Sequence, residues 1–227
     1  MRTDNHKNQS IRKGDIRMST MSKANRGLKI AITGSMGSGK SAVCSIIKQA
    51  GWPLISADEI VADLYDFDTY VKTRLMEYYG EEVIEDYKVN RKILFSNMMK
   101  SDEEKKRVES LIHPLVEKKM LEYFSKQDSS LLFAEIPLLY ESQWQDKFDQ
   151  IWVVAAEDDL RIERLTDKRK VSKEQALALM SYQIDQKRKI QWADVVIDNN
   201  GTWADLSNIV HQLLLEVSGG EGNVEVK

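Results

Sequence analysis

From Leu28 the hydrophobic positions run almost without interruption through LKIAIT, break at a glycine-rich stretch, and resume as Val43, Ile46, Ile47 and Ala50 at helical spacing. The first run predicts a short strand buried on both faces. The second predicts an amphipathic helix that Gly51 closes, with Pro53 opening the next strand, PLIS at 53–56. Ser56-x-x-Glu59 has the form of a capping box, a hydroxyl and a carboxylate spaced to satisfy orphan amides at a helix start, and Ile60, Val61 and Leu64 continue that helix. The opening therefore reads βαβα. From 59 to about 127 the pattern contains helical stretches and no strand; one helix follows a second capping signal, Ser101-x-x-Glu104, and carries Val108, Leu111 and Ile112. That block is expected to be a helical insertion. Strands resume at LLFAEI (131–136), IWVVAA (151–156) and DVVID (194–198), whose apolar runs suit a parallel sheet covered by helices on both faces. Between the last two, 161–192 is charged and helical, with Ser172-x-x-Gln175 as a further cap signal.

Composition narrows the class. With 227 residues, 42% hydrophobic and 30% charged, one α/β domain with insertions is the simplest organisation. No apolar run reaches the ~18 residues of a membrane span. The single cysteine, Cys44, rules out an intramolecular disulfide and every multi-cysteine metal site, which fits a reducing compartment and a cytoplasmic location. The net charge of −3 conceals an asymmetry: residues 1–27 hold seven Lys/Arg against two Asp, so the remainder carries −8. An acidic body argues against nucleic acid as a partner, and the basic arm is expected to be a disordered extension, as is the frayed tail at 218–227. No apolar stretch before Leu28 can serve as a secretory core, so export is not expected.

The stretch that breaks the first apolar run carries the chemistry. Gly34-Ser35-Met36-Gly37-Ser38-Gly39-Lys40-Ser41 satisfies G-x-x-x-x-G-K-[ST] and lies between a predicted strand and a predicted helix, where such a loop cradles nucleotide phosphates. Glycines allow the backbone amides to turn inward, and the helix adds its positive end to the same anion. Lys40 is expected to reach the β- and γ-phosphates and the Ser41 hydroxyl to ligate Mg²⁺. A guanine-reading N-K-x-D is missing from its place after a later strand, which argues against a GTPase. A kinase for a small hydroxyl needs a carboxylate at the end of the second strand, and Asp58 stands there. Two readings of Asp58 remain at this point: an acceptor-orienting carboxylate, and an acid favoured at any helix start.

Further segments extend the likeness to a family. ITGSMGSGKS, Ser56-Ala57-Asp58, Ile112-His113-Pro114-Leu115-Val116, Glu135-Ile136-Pro137-Leu138-Leu139-Tyr140-Glu141, then Arg161, Arg164-Leu165, Arg169, Gln183 and ADVVIDNNG at 193–201 together resemble dephospho-CoA kinases, from Lys29 to about Leu214. Four positions depart from the family pattern: Ser56 and Glu135 stand for aspartates, Ala42 for a threonine and Ala62 for an arginine. The amide of Ala42 is retained, so the loss there is one hydroxyl contact to the α-phosphate.

The resemblance implies a P-loop kinase core of five parallel strands at 28–217, a helical acceptor-binding insertion near 59–127 and a lid near 166–192. It implies transfer of the ATP γ-phosphoryl group to the ribose 3′-hydroxyl of dephospho-CoA, with Mg²⁺, giving CoA and ADP. The residues from Gly34 to Ala42 would hold the nucleotide and Asp58 would be catalytic with Lys40. Arg169 and then Arg164 would neutralise charge on the transferred group. His113 has two readings, an acceptor contact and a helix end before Pro114. The competing functions are a P-loop kinase for another small acceptor, a nucleotide or a shikimate-like alcohol, and a nucleotide-binding regulator without chemistry.

Overall fold

The structure is a computed structural model that describes residues 27–219, apart from the side chains of Lys168 and Arg169. The basic arm at 1–26 and the tail at 220–227 lie outside the described residues. The chain divides into two compact units, one built from the segments before Ile55 and after Gln127, the other from Ile55–Gln127.

The first unit is a parallel sheet with helices. Its strands are β1 (Leu28–Gly34), β2 (Leu54–Ser56), β5 (Leu131–Glu135), β6 (Gln150–Ala155) and β7 (Val195–Asp198), in the order β2-β5-β1-β6-β7. β1 is central: Ile30 pairs in register with Phe133 of β5 and with Gln150 of β6. Helices α1 (Lys40–Gln49), α6 (Asp158–Arg169), α7 (Lys173–Ser181), α8 (Gln186–Gln191) and α9 (Trp203–Val217) complete the unit. The predicted strands appear within a residue of their expected bounds. They are strands because both faces are buried: on one, α1 with Val43, Ile46 and Ile47 and α9 with Val210, Leu213 and Leu214 share a core with Ile30, Ile32 and Val154, and on the other the alternate positions Ala31, Thr33, Ala134 and Val153 are buried as well. Trp152, fully buried, packs edge-on against Phe133 at 5.6 Å between centroids, and its indole N–H donates to Gln150. That donor would otherwise be an unmade hydrogen bond in the core.

The second unit holds α2 (Ala57–Phe67), α3 (Thr69–Tyr79), α4 (Arg91–Met98) and α5 (Asp102–Ser125). Ser56 Oγ caps α2 by accepting from Glu59 N, and Ser101 Oγ caps α5 by accepting from Glu104 N, so both capping signals mark real helix starts. The expectation of no strand here fails at β3 (Ile84–Glu85) and β4 (Lys88–Val89), an antiparallel hairpin. Its two-residue turn, Asp86 and Tyr87, has φ of 47° and 64°. Such turns announce themselves by glycine, and this one has none. The second correction concerns Pro114: the helix does not end before it. α5 runs through it for 24 residues, with Val108, Ile112, Val116, Met120 and Phe124 forming a buried stripe at four-residue spacing that outweighs one missing amide bond.

Candidate active site

The turn from β1 into α1 is built around its carbonyls. Lys40 Nζ donates to Gly34 O at 2.8 Å and to Ser35 O at 3.4 Å. Arg161 Nε donates to Met36 O at 3.0 Å. Arg164 Nη1 reaches Gly37 O and Ser38 O at 3.4 Å each, and Asn199 Nδ2 donates to Ser38 O at 2.7 Å. Every carbonyl from Gly34 to Ser38 is thus drawn to a donor. A trans peptide points its N–H opposite to its C=O, so the amides of Gly37 and Gly39 turn to the other side, toward the start of α1. Gly39, with φ of 91°, is the N-cap of α1, and no side chain caps the helix there. The positive end of α1 and the inward amides therefore share one concavity, the arrangement that binds phosphate.

Two glycines of the loop are required by close approach. A Cβ on Gly37 would lie 2.7 Å from the Arg161 carbonyl, and one on Gly39 would collide with the Asn199 carboxamide. Both also have φ in the left-handed region. Asn199 is buried at the end of β7 and its own carbonyl accepts from Arg164 Nη2 at 3.0 Å, so α6, β7 and the loop are bonded into one cluster. Burial lowers the Arg161 guanidinium below its usual value while its ion pair with Asp158, at 2.7 Å, opposes that; the group stays charged.

The remaining residues singled out in the sequence fall as follows. Ser41 is exposed in the first turn of α1, and Ala42 N bonds back to Gly39 O at 3.0 Å. Glu135 closes β5 opposite Ile32 of β1, and burial and the Glu135 charge push the Cys44 thiol far above its usual value, so it remains a neutral thiol. Asp58 is the exposed second residue of α2, two positions after β2 ends; the cap itself is Ser56. His113 is half-buried on α5, and desolvation lowers its pKa below 6.5, with Glu109 opposing. Arg169 is the last residue of α6, and its side chain lies outside the described residues. Arg164, expected after Arg169 to neutralise charge on the transferred group, has its guanidinium against the phosphate loop, on the carbonyls of Gly37, Ser38 and Asn199. Asn199 and Gln183, whose Oε1 accepts from Met36 N at 2.7 Å, belong to the site but were visible in the sequence only as parts of a family signature.

A glycine loop of this form between the central strand and the first helix of a parallel sheet defines a P-loop phosphotransferase fold. Comparison with known proteins gives the family. The family model described as dephospho-CoA kinase matches residues 28–205, and the chain belongs to that family. Among its relatives, the dephospho-CoA kinase of Listeria monocytogenes serovar 1/2a is 36% identical over 178 residues, 77% of this chain and 89% of the relative. That of Prochlorococcus marinus strain MIT 9312 is 28% identical over 197 residues, 84% and 96% of the two chains. Of solved structures, a Thermus thermophilus protein matches with a TM-score of 0.76 at 29% identity, covering 84% of this chain and 98% of its own. The dephospho-CoA kinase from Campylobacter jejuni matches at 0.65 and 28%, covering 85% and 98%.

Proposed function

We propose that this chain transfers the γ-phosphoryl group of ATP to the ribose 3′-hydroxyl of dephospho-CoA, releasing CoA and ADP in the last step of coenzyme A biosynthesis. The observation that carries this reading is the phosphate loop with every carbonyl from Gly34 to Ser38 held by a donor, on a chain that matches the dephospho-CoA kinase family over 28–205.

The amides of Gly37 and Gly39 and the N-terminus of α1 hold the phosphates. Lys40, already oriented by two loop carbonyls, reaches the β- and γ-oxygens. The acceptor oxygen forms a bond to the γ-phosphorus as the bond from that phosphorus to the β,γ-bridging oxygen breaks, and ADP leaves. Asp58 orients the acceptor hydroxyl and accepts its proton. It lies in the first turn of α2, and a weak base suffices there because phosphoryl transfer passes through a loose transition state. Arg169 neutralises charge on the moving group, Arg164 supports the loop from behind, and His113 contacts the acceptor.

The residues present fit Mg²⁺ carried on the nucleotide: the exposed Ser41 hydroxyl would offer one oxygen to the ion, and no cluster of three His, Cys, Asp or Glu ligands exists among the described residues to hold a metal by itself. When bound, the ion withdraws charge from the β- and γ-phosphate oxygens. No helix among the described residues is long and apolar enough to cross a membrane, and the buried thiol of Cys44 suits a reducing cytoplasm.

The test is ADP release with ATP and dephospho-CoA, run beside AMP, adenosine and shikimate. Dephospho-CoA should turn over fastest, with CoA as product. Faster turnover of another acceptor, or none with any, would refute the assignment.

A further inference from the structure

The segment after α6 returns to the phosphate loop. Arg161, in the first turn of α6, holds Met36 O at 3.0 Å, and Gln183, in the linker between α7 and α8, holds Met36 N at 2.7 Å. Met36 is therefore pinned at both of its backbone groups, by the two roots of one excursion, residues 162–182. Beyond Gln183 the chain is tied elsewhere. Ile184 N donates to Glu141 Oε1 at 3.0 Å, and the Gln186 carboxamide bonds Ala156 through both N (3.3 Å) and O (2.8 Å). Lys189 Nζ, fully buried, lies 2.8 Å from the same Glu141 oxygen. These three anchors hold the start of α8 to the loops after β5 and β6, whereas Gln183 reaches the loop after β1. Between those roots lies the excursion itself, whose Arg164 also reaches Gly37 O and Ser38 O, while 184–191 is tied to the loops after β5 and β6.

We infer that Gln183 is a positioning residue for phosphate transfer. By accepting from Met36 N it fixes the peptide before Met36, as Arg161 fixes the one after it, and the second of these peptides carries the Gly37 amide. The loop holds its phosphate-binding geometry when the 162–182 excursion is folded back so that Gln183 meets Met36. Nucleotide binding and lid docking are then one coupled equilibrium, and each strengthens the other by the same factor. The inference rests on the reading of 34–41 as the ATP loop.

The experiment uses the full chain and ADP with Mg²⁺. ADP affinity, from displacement of a fluorescent ADP analogue, and amide exchange across 162–182 with and without ADP are measured for wild type, Gln183→Met, Gln183→Glu and Gln186→Met. Gln183→Met keeps the shape and removes the acceptor. It should weaken ADP about tenfold, within the usual range of site-to-site coupling, and abolish most of the ADP-induced protection of 162–182. Gln183→Glu keeps an acceptor oxygen and should keep that protection even if its charge lowers affinity. Gln186→Met should loosen α8 and leave the protection intact, which separates coupling from general loosening. Gln183→Ala replaces the methionine variant if the latter has a lowered Tm. ADP binding and lid protection at wild-type levels without the Gln183 acceptor would overturn the inference alone. A wild-type chain that binds no ADP would overturn the loop reading together with it.

Discussion

In the sheet-bearing unit the groups proposed to meet a ligand are backbone amides, and apart from the two local bonds of Lys40 the side-chain bonds that aim them join residues between 125 and 161 positions apart. In the helical unit the proposed groups are side chains, Asp58 and His113, carried on helices whose caps reach three residues. Among the described residues the longest side-chain hydrogen bonds there, from Tyr79 to Glu104 O and from Arg91 to Asp66, cross 25 residues each. The difference separates two ways of building a site. A backbone cradle depends on many distant partners acting together, so it tolerates little change in any of them. A helix surface forms from local contacts and presents each functional side chain separately, so single substitutions there should act one at a time.

The largest effect should come from the cradle. Lys40→Ala removes both the phosphate contact and the donor that orients Gly34 and Ser35, and kcat should fall by about 10³-fold, the upper range for one electrostatic donor. Steady-state kinetics with saturating ATP checks it. A loss below tenfold would mean that the loop is a structural turn. Next comes Asp58→Asn, which should lower kcat by at least ~10²-fold, as for a positioned base, and leave the ATP Kd unchanged. The structure sharpens this probe because Ser56, not Asp58, is the cap of α2. If Asp58 served only the helix dipole, the variant would stay active and lose only about 0.5 kcal/mol of stability.

How far the molecule was legible in its sequence follows the same division. The strand, loop and first helix were readable because consecutive residues carry both the apolar period and the glycine-lysine motif. The clamps on that loop were not, because nothing in the local surroundings of Gln183 or Asn199 marks them as partners of Met36 and Ser38; only the sheet topology brings them together. In the helical unit the caps at Ser56 and Ser101 were explicit. The hairpin is hidden in the sequence because Asp86 and Tyr87 adopt left-handed backbone without glycine, and the course of α5 because proline disfavours helix locally while a buried stripe over about four turns overrides it.

Pro114 tests whether that local violation serves the acceptor. It is exposed inside α5, so Pro114→Ala should restore a donor to Ser110 O and relieve a clash, stabilising the protein by about 1–3 kcal/mol. Urea unfolding measures the gain. If the proline also sets the course of the helix at His113, the same variant should raise the KM for dephospho-CoA while leaving that for ATP alone. Stabilisation with both constants unchanged would make Pro114 a tolerated defect.

The smallest effect concerns His113 itself and has a definite sign. Desolvation holds its folded pKa below 6.5, and the unfolded chain titrates near that ordinary value. Between the two values the unfolded state binds more protons, so His113 contributes stability that is fully present above 6.5 and is lost as pH falls through the window below it, levelling off beneath the folded pKa. Because the ring is only half-buried, the contribution is small. It should appear as a shallow extra fall in Tm between pH 7 and 5 in the wild type that His113→Gln removes. At pH 7 the ring is neutral, so the proposed contact with the acceptor would be a hydrogen bond and not an ion pair. kcat/KM for dephospho-CoA should therefore show no His113-dependent step between pH 7 and 8. A decline over that interval that disappears in His113→Gln would show instead that the imidazolium binds the acceptor, with a pKa raised by a phosphate the helical unit holds beside it.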